Sequence, residues 1–508
     1  MKTLRLLVPA TLAFVSACAA ELPPAVSLSK SNILFIAIDD LKPLLGCYGE
    51  AGVKSPNIDR LAARGVRFDR AYCNQAVCAP SRNTLMTGLR PTTLGVYDLA
   101  THFRDAVPDV VTLGQRFQRN GWRAESMGKI YHVGHGNYVD AATWSVPHWV
   151  PAVGRYLRPD TLAAIAAAAG SVNADKGPAV ECVDVPDEAY GDGMIAAEAI
   201  RRLRAAKERP GTPFLMAVGF SKPHLPFAAP KKYWDLYDRD AFEPAKRSTP
   251  PDGAPEFAPT TWGELRGYTD IPNVGPLTPD LQRELIHGYH AAVSFIDAQV
   301  GRVLDELDRL GLAGNTIIVL WGDHGWHLGD HGMWAKHSNY EEAARIPLMV
   351  VAPGVTQPQT HSSALVETVD LYPTLCALAG IPVPAGLDGA SFVPALRDPA
   401  TAHTKDAVFH VYPRSPKGMG QLLGRAVRTA RYRLVEWKKA GALADTAILE
   451  LYDYQTDPGE TRNLAGEQPQ VVAQLRAILA EQPEAKPQFQ GDPADKSKQR
   501  RAPYTPES

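Results

Sequence analysis

From residue 30 to about residue 380, short apolar runs rich in β-branched and aromatic side chains alternate with segments of helical periodicity. That order predicts a largely parallel sheet with helices on both faces. Three of the runs are apolar throughout instead of alternating with polar positions, as strands covered on both sides require. Residues 32–38 run into Asp39-Asp40, residues 213–220 into Ser221-Lys222-Pro223-His224, and residues 316–321 into Gly322-Asp323-His324. Ligands of open α/β sheets lie just beyond the carboxyl ends of the strands, so these three ends are expected to meet at one site. Leu281, Leu285, Tyr289, Val293, Ile296, Val300, Val303, Leu304 and Leu307 recur at helical spacing and predict a long amphipathic helix over 279–310, stopped by Gly311. Residues 231–278 are rich in Pro, Asp and aromatics with little periodicity, and are expected as a surface excursion that shapes a pocket. After Pro382 the pattern changes to antiparallel-type strands over 407–411, 424–437 and 448–454. The expected organisation is a leader over 1–19, a catalytic domain over 28–382, a smaller subdomain over 383–482 and a flexible tail over 483–508.

Composition narrows the class without naming a function. The 508 residues are 45% hydrophobic and 21% charged, with 53 Lys and Arg against 55 Asp and Glu for a net charge of −2. These values are globular and exclude a collagen-like, disordered or disulfide-scaffold chain. They also give no global attraction to nucleic acid, and disfavour a broad basic surface gripping long polyanions. The six cysteines (18, 47, 73, 78, 182 and 376) form no Cys-x-x-Cys pair, which argues against structural zinc. Lys2 and Arg5 precede an apolar run from Leu6 to Ala17, the length of a signal-peptide core and too short to span a bilayer. The chain is therefore expected to be exported: periplasmic, extracellular or lipid-anchored. Val15-Ser16-Ala17-Cys18 resembles a bacterial lipobox, in which Cys18 would be lipidated; ordinary cleavage near Ala17 to Ala20 fits the same small residues.

The most informative stretch is Cys78-Ala79-Pro80-Ser81-Arg82, followed by Thr87-Gly88. Pro80 sits where a helix would start, since its missing N–H costs nothing there. Cys78 then lies just before a helix N-terminus, where the dipole favours an anion, and Arg82 one turn on can fork onto that anion. A lone cysteine, taken by itself, reads better as buried and inert. Asp39, Asp40 and Asp323 are hard oxygen ligands at two strand ends, a set that suits Ca²⁺ or Mg²⁺ and would repel itself without a cation. Asp39-Asp40 alone reads equally as a helix cap after a strand.

Cys-x-Pro-Ser-Arg followed by Thr-Gly resembles the signature of the type I sulfatases, in which that cysteine is oxidised to formylglycine. Asp39-Asp40, Gly128-Lys129-Ile130-Tyr131-His132, Lys222-Pro223-His224, and Gly322-Asp323-His324-Gly325 with Lys336 stand in the order of the family's other elements. Glu450-Leu451-Tyr452-Asp453, with Asp457-Pro458 and Asn463-Leu464, resembles the end of sulfatase chains. His324, where many arylsulfatases carry asparagine, resembles the iduronate-2-sulfatase branch, as do Lys222 to Phe227, Asp323 to Trp326 and Trp334 to Asn339.

The resemblance implies an α/β, alkaline-phosphatase-like sandwich. It has a large mixed, mostly parallel sheet flanked by helices, plus a smaller C-terminal α+β subdomain with an antiparallel sheet. It implies a metal, Ca²⁺ or else Mg²⁺, held by Asp39, Asp40, Cys78, Asp323 and His324. The aldehyde made from Cys78 would hydrate, and one hydroxyl would attack sulfur, localised by the metal and Arg82. Lys129 and Lys336 would neutralise the sulfate oxygens. His224, with Lys336, would protonate the departing alcohol, and His132 would take the proton that lets the sulfated hemiacetal collapse. Lys222, Trp326, His327, His102 and Arg104, together with His331, are candidates to line the sugar pocket. The implied activity is hydrolysis of a sulfated carbohydrate, with a 2-O-sulfated uronate as the nearest analogue, after conversion of Cys78 by a formylglycine-generating enzyme. No nucleic acid is expected as a partner, and a membrane only through a lipid at Cys18. A phosphonate or phosphodiester hydrolase and a non-catalytic carbohydrate-binding relative are the alternatives.

Overall fold

Every residue of the first strand, β1 (Asn32–Ile38), is buried, which is why its sequence shows no polar alternation. Leu34, Ile36 and Ile38 enter one apolar core, and Ile33, Phe35 and Ala37 enter another on the opposite face. The computed structural model describes residues 30–170 and 173–491, so the leader and Cys18 lie outside the described residues. The remaining strands of the first part are β2 (Val66–Tyr72), β3 (Arg123–Gly128), β4 (Val180–Val183), β5 (Phe214–Phe220), β6 (Phe227–Pro230), β7 (Thr316–Gly322), β8 (Arg345–Ile346), β9 (Leu348–Val351) and β10 (Thr360–Glu367). The main sheet has the order β10-β2-β9-β7-β1-β5-β3, with β8 against β2, while β4 and β6 pair by themselves. β1 runs parallel to β5 and β7, β3 to β5, and β10 to β2; β9 is antiparallel to β2 and β7.

The expected long helix is Pro279–Arg309, opened by Thr278, whose side chain accepts the Leu281 N–H. It and the helix Gly191–Lys207 cover the Leu34 face, whereas Cys78–Thr87, Leu113–Gln118 and Leu371–Leu378 cover the Phe35 face. Alternating positions of β1 thus point into two separate cores, and each large aliphatic side chain so buried stabilises the fold by about 1.5–3 kcal/mol.

The C-terminal sheet is antiparallel in the order β11-β12-β13-β14, built from β11 (Ala407–Arg414), β12 (Leu422–Thr429), β13 (Tyr432–Lys438) and β14 (Ile448–Asp453). The pattern over 424–437 resolves into two strands, because the Thr429 hydroxyl accepts the Tyr432 N–H and closes a turn at Ala430-Arg431. Val472, Leu475 and Leu479 of the helix Pro469–Ala480 pack on one face of this sheet. Tyr452, on the other face, meets Met333 and Tyr340 of the first part.

The two parts are also joined by charge. Arg433 on β13 is 1% exposed and pairs with Glu341 at 2.7 Å and Glu460 at 3.0 Å. Arg433→Met would leave both carboxylates without that cation. The expected loss is about 3–5 kcal/mol of unfolding free energy, read by urea denaturation, and a loss below about 1 kcal/mol would show the network to be incidental.

Residues 483–491 differ from the expected frayed tail. Lys486 and Phe489 N–H groups donate to the Thr92 and Gly95 carbonyls, and Glu484 pairs with Lys438 at 2.7 Å. Residues 492–508 lie outside the described residues.

Candidate active site

The carboxyl ends of β1, β5 and β7 meet as their sequences suggest, with Ile38 beside both Phe220 and Gly322. Asp39 N–H donates to the Phe220 carbonyl and Asp323 N–H to the Ile38 carbonyl, so the sheet ladder continues into the site. Successive residues of a strand point to opposite faces. Asp40 escapes that alternation by adopting a left-handed conformation, φ +58°, which an aspartate tolerates better than most residues. The Asp323 carboxylate accepts the Asp40 N–H at 3.1 Å and the His324 N–H at 3.0 Å, which fixes the turn.

The helix carrying the Cys78 motif is Cys78–Thr87, and all ten residues are buried. It begins two residues earlier than Pro80 suggests. Proline is still accommodated, because none of the first-turn N–H groups has a partner within the helix. Arg82 is 0% exposed and spends its guanidinium on the framework: Nε on Asp323 at 3.0 Å, one terminal nitrogen on Asp39 at 3.0 Å, and the other on the Lys129 carbonyl. That carbonyl reaches Arg82 because β3 and β5 approach closely at Gly128 and Gly219. A Cβ on Gly128, where φ is +69°, would lie 2.0 Å from the Gly219 oxygen. The Gly128-Lys129 segment therefore requires its glycine.

One ligand atom each from Asp39, Asp40, Cys78 and His324 lie within 4.8 Å of one another. His324 Nδ1 faces the Gly325 carbonyl at 3.1 Å, which assigns the ring proton there and leaves a lone pair on Nε2. Nε2 faces oxygens of Asp40 at 3.4 Å and Asp323 at 3.6 Å, and Cys78 Sγ at 3.3 Å. Burial and the Lys336 charge hold the His324 ring well below the usual histidine range, so it is neutral. A lone pair directed at carboxylates repels them unless a cation lies between. Burial and the neighbouring Asp39 also push Asp323 well above the usual carboxylate range, the mark of surplus negative charge. The donor set therefore fits a hard divalent cation. Asp323 borders that group of four: its oxygens accept from Arg82 and from the Asp40 and His324 N–H groups, and one of them lies 3.6 Å from His324 Nε2, close enough to share a cation with it.

Lys129 Nζ contacts Asp39 and lies 3.7 Å from Cys78 Sγ, and Lys336 Nζ lies 3.0 Å from Asp40. Burial and then Asp39 push the Cys78 thiol well above its ordinary pKa, so as a plain cysteine it carries no thiolate nucleophile. These groups line one end of a cavity of about 720 Å³, in the size range of small-ligand sites, that also exposes His132, His224, Lys222 and Glu264. Burial and Lys129 lower His132 to about 2, so its ring is neutral. Its Nε2 lies 3.2 Å from His135.

The sugar-pocket candidates fare differently. Lys222 lines the cavity, yet its ammonium donates to the His224 and Pro226 carbonyls at 2.6 and 2.7 Å and so braces the loop that carries His224. His102 is 2% exposed, stacks on Tyr138 and accepts the Arg104 N–H, while Arg104 forks onto Asp140; both serve packing. Trp326 is 0% exposed beneath Lys336, whose ammonium lies 5.2 Å from a ring centre. His327 is 0% exposed and bonds Ser338, and His331 bonds the Gly459 carbonyl. These residues follow β7 closely in sequence but turn into the core.

The residue missed by sequence reasoning is Glu264, on the short helix Gly263–Arg266 within the excursion. Its two oxygens lie 3.0 Å from His224 Nε2 and 3.0 Å from Lys336 Nζ. A segment without periodicity gives no local signal for it.

Two family models match the chain: "Sulfatase" over residues 31–381, and "N-sulphoglucosamine sulphohydrolase, C-terminal" over 329–485. Among curated proteins, the iduronate 2-sulfatase of Mus musculus is 35% identical over 502 residues, covering 85% of this chain and 90% of that protein. A solved structure of a protein in complex with its substrate D-glucosamine-2-N,6-O-disulfate superposes with a TM-score of 0.71 at 23% identity, over 89% of this chain and 97% of that one. A phosphonate monoester hydrolase from Silicibacter pomeroyi superposes with a TM-score of 0.68 at 23% identity, over 89% and 94%. Both solved structures share the alkaline-phosphatase-like fold.

Proposed function

Because the chain belongs to the sulfatase family and is a sulfuric ester hydrolase, we propose that it removes sulfate from a sulfated saccharide at the cavity lined by Asp39 and Cys78, against which Asp40 and His324 complete the ligand group. The observation that carries this reading is the buried four-ligand set, with Lys129 and Lys336 beside it at the end of a saccharide-sized cavity. A Ca²⁺ or Mg²⁺ ion would be held by Asp39, Asp40, Asp323 and His324 beside residue 78 and would supply positive charge for the sulfate, and formylglycine formed from Cys78 would supply an aldehyde whose hydrate carries the oxygen nucleophile.

The remaining chemistry belongs to the chain's own side chains. Lys129 and Lys336 hold the sulfate oxygens and offset the charge that gathers on them as the ester bond breaks. Arg82 is a positioning residue, since its donors are occupied by Asp39, Asp323 and the Lys129 carbonyl. His224 points Nε2 towards Glu264, whose other oxygen meets Lys336, and is the acid for the leaving oxygen. His132, on the cavity wall beside Lys129, is the base for the proton whose removal frees inorganic sulfate. His224→Ala should lower kcat by about 10²–10³-fold for a sugar sulfate, whose alkoxide leaves poorly, and by less than about tenfold for a nitrophenyl sulfate, whose anion leaves unaided. Equal losses on both esters would remove His224 from the acid role.

The name of the 35% identical relative supports a 2-O-sulfated uronate as the first substrate to try. The substrate in the 0.71 TM-score structure supports sulfated amino sugars as the second. The site is a single recess in a chain of net charge −2, which favours a chain end or short oligosaccharide over a long polyanion. The leader pattern supports export, and maturation of Cys78 calls for a formylglycine-generating enzyme. No helix of the described residues is long and apolar enough to cross a membrane. A screen of sulfated mono- and disaccharides for sulfate release tests the assignment. The shared fold of the phosphonate monoester hydrolase supplies the second reading, and faster turnover of a phosphonate monoester than of any sulfate ester would favour it.

A further inference from the structure

Within the cavity, the acid proposed for the leaving oxygen and an ammonium proposed for the sulfate oxygens already have an anion between them. Glu264 Oε1 lies 3.0 Å from His224 Nε2, and Oε2 lies 3.0 Å from Lys336 Nζ, the same ammonium that touches Asp40. Burial alone would raise the Glu264 pKa, but Lys336 and His224 outweigh it and hold the carboxyl well below the usual range, so it stays ionised. Lys176 donates to the backbone carbonyl of Glu264, at 3.2 Å, so the direct contacts of the carboxylate are with those two partners, while the charges of Lys176 and His337 act on it from farther off. A fixed carboxylate opposes the entry of any anion, and the opposition grows with the charge on that anion. A sulfate monoester carries one negative charge at neutral pH. A phosphate monoester, with its second pKa near about 6, carries close to two.

We propose that Glu264 is a specificity-determining residue that admits esters carrying one negative charge and rejects those carrying two. The inference rests on the sulfatase reading and deepens it, because it accounts for how a site rich in cations excludes the phosphate esters that resemble its substrate in shape. It leaves sulfate monoesters and phosphonate monoesters, both single anions, undistinguished.

The test compares the sulfate, phosphate and methylphosphonate esters of one aryl alcohol on wild type, Glu264→Gln and Glu264→Asp. A unit charge about 4 Å from a substrate oxygen, in surroundings of effective dielectric about 20 and partly offset by its partners, is worth on the order of a hundredfold. The ratio of kcat/KM for sulfate to that for phosphate should fall by about that factor in Glu264→Gln. The sulfate-to-phosphonate ratio should move by less than about threefold, and Glu264→Asp, which keeps the charge, should stay near wild type. A purely structural role would move all three esters together. An unchanged sulfate-to-phosphate ratio in Glu264→Gln, with wild type preferring sulfate, overturns this inference alone. A wild type that prefers the phosphate ester overturns the sulfatase reading and the inference with it. Wild-type protein also answers without a variant: as competitive inhibitors, the aryl methylphosphonate should bind more tightly than the aryl phosphate, and equal inhibition constants overturn the proposal.

Discussion

Cys78→Ala should reduce sulfate-ester turnover to the uncatalysed background, a loss on the order of 10⁴-fold or more, while the protein still folds. The size of the effect follows from the site around residue 78. Cys78 is 2% exposed and opens a fully buried helix, and His324, Lys129 and Arg82 all converge beside it. The charged groups next to it cannot replace it: Lys129, Lys336 and Arg82 are paired cations, and Asp39, Asp40 and Asp323 pair with them. Removing one sulfur atom at the start of a helix leaves the Leu85 and Met86 contacts of that helix in place, so the stability change should stay within about 1 kcal/mol. Loss of activity together with loss of folding would point to a structural role for the cysteine. Retained turnover would remove residue 78 from the chemistry.

The second large effect is expected from Asp39→Asn. One oxygen of Asp39 accepts from Arg82 at 3.0 Å and the other contacts Lys129, and the same carboxylate belongs to the four-ligand set. Lys129 and Arg82 outweigh the burial that would otherwise raise its pKa and hold it well below the usual range, so it is ionised at any pH where the protein works. An amide leaves two buried cations short of a counter-charge, which costs about 3–5 kcal/mol in metal-free protein. It also removes a ligand. Wild-type protein should gain about 2.7 kcal/mol of stability at a calcium concentration one hundred times its dissociation constant, and lose that gain after chelation. Asp39→Asn should show neither change and should lose turnover by about a thousandfold or more. A calcium-induced shift in melting temperature equal to that of wild type would exclude Asp39 from the cation site.

How far the sequence carries can be judged residue by residue. β1, β5 and β7 were legible because strands buried on both faces must be apolar at every position, and the ionisable residues at their ends marked the site. The helix Pro279–Arg309 was legible from its spacing alone. The start of the Cys78 helix was two residues off, because proline fits anywhere in a first turn and so marks a region more than a position. His102, Arg104, Trp326 and His327 have side chains suited to a sugar pocket and stand near the motifs in sequence. Nothing in a single sequence says that the loop after β7 folds Trp326 under Lys336 or that His102 caps a short helix. Glu264 illustrates the converse limit. It reaches the centre of the site from a segment whose path over the surface is set by tertiary contacts, so no local pattern could have singled it out.

The measurement that bears most directly on the central claim is the mass of residue 78 in active enzyme. Protein produced with a formylglycine-generating enzyme should yield a tryptic peptide 71–82 that is lighter by about 18 Da, with fragment ions placing the loss on Cys78 and leaving Cys73 unchanged. The fraction of peptide so altered should rise in proportion to sulfate released per mole of protein. Full sulfate-ester turnover from protein whose Cys78 remains a thiol would contradict the account.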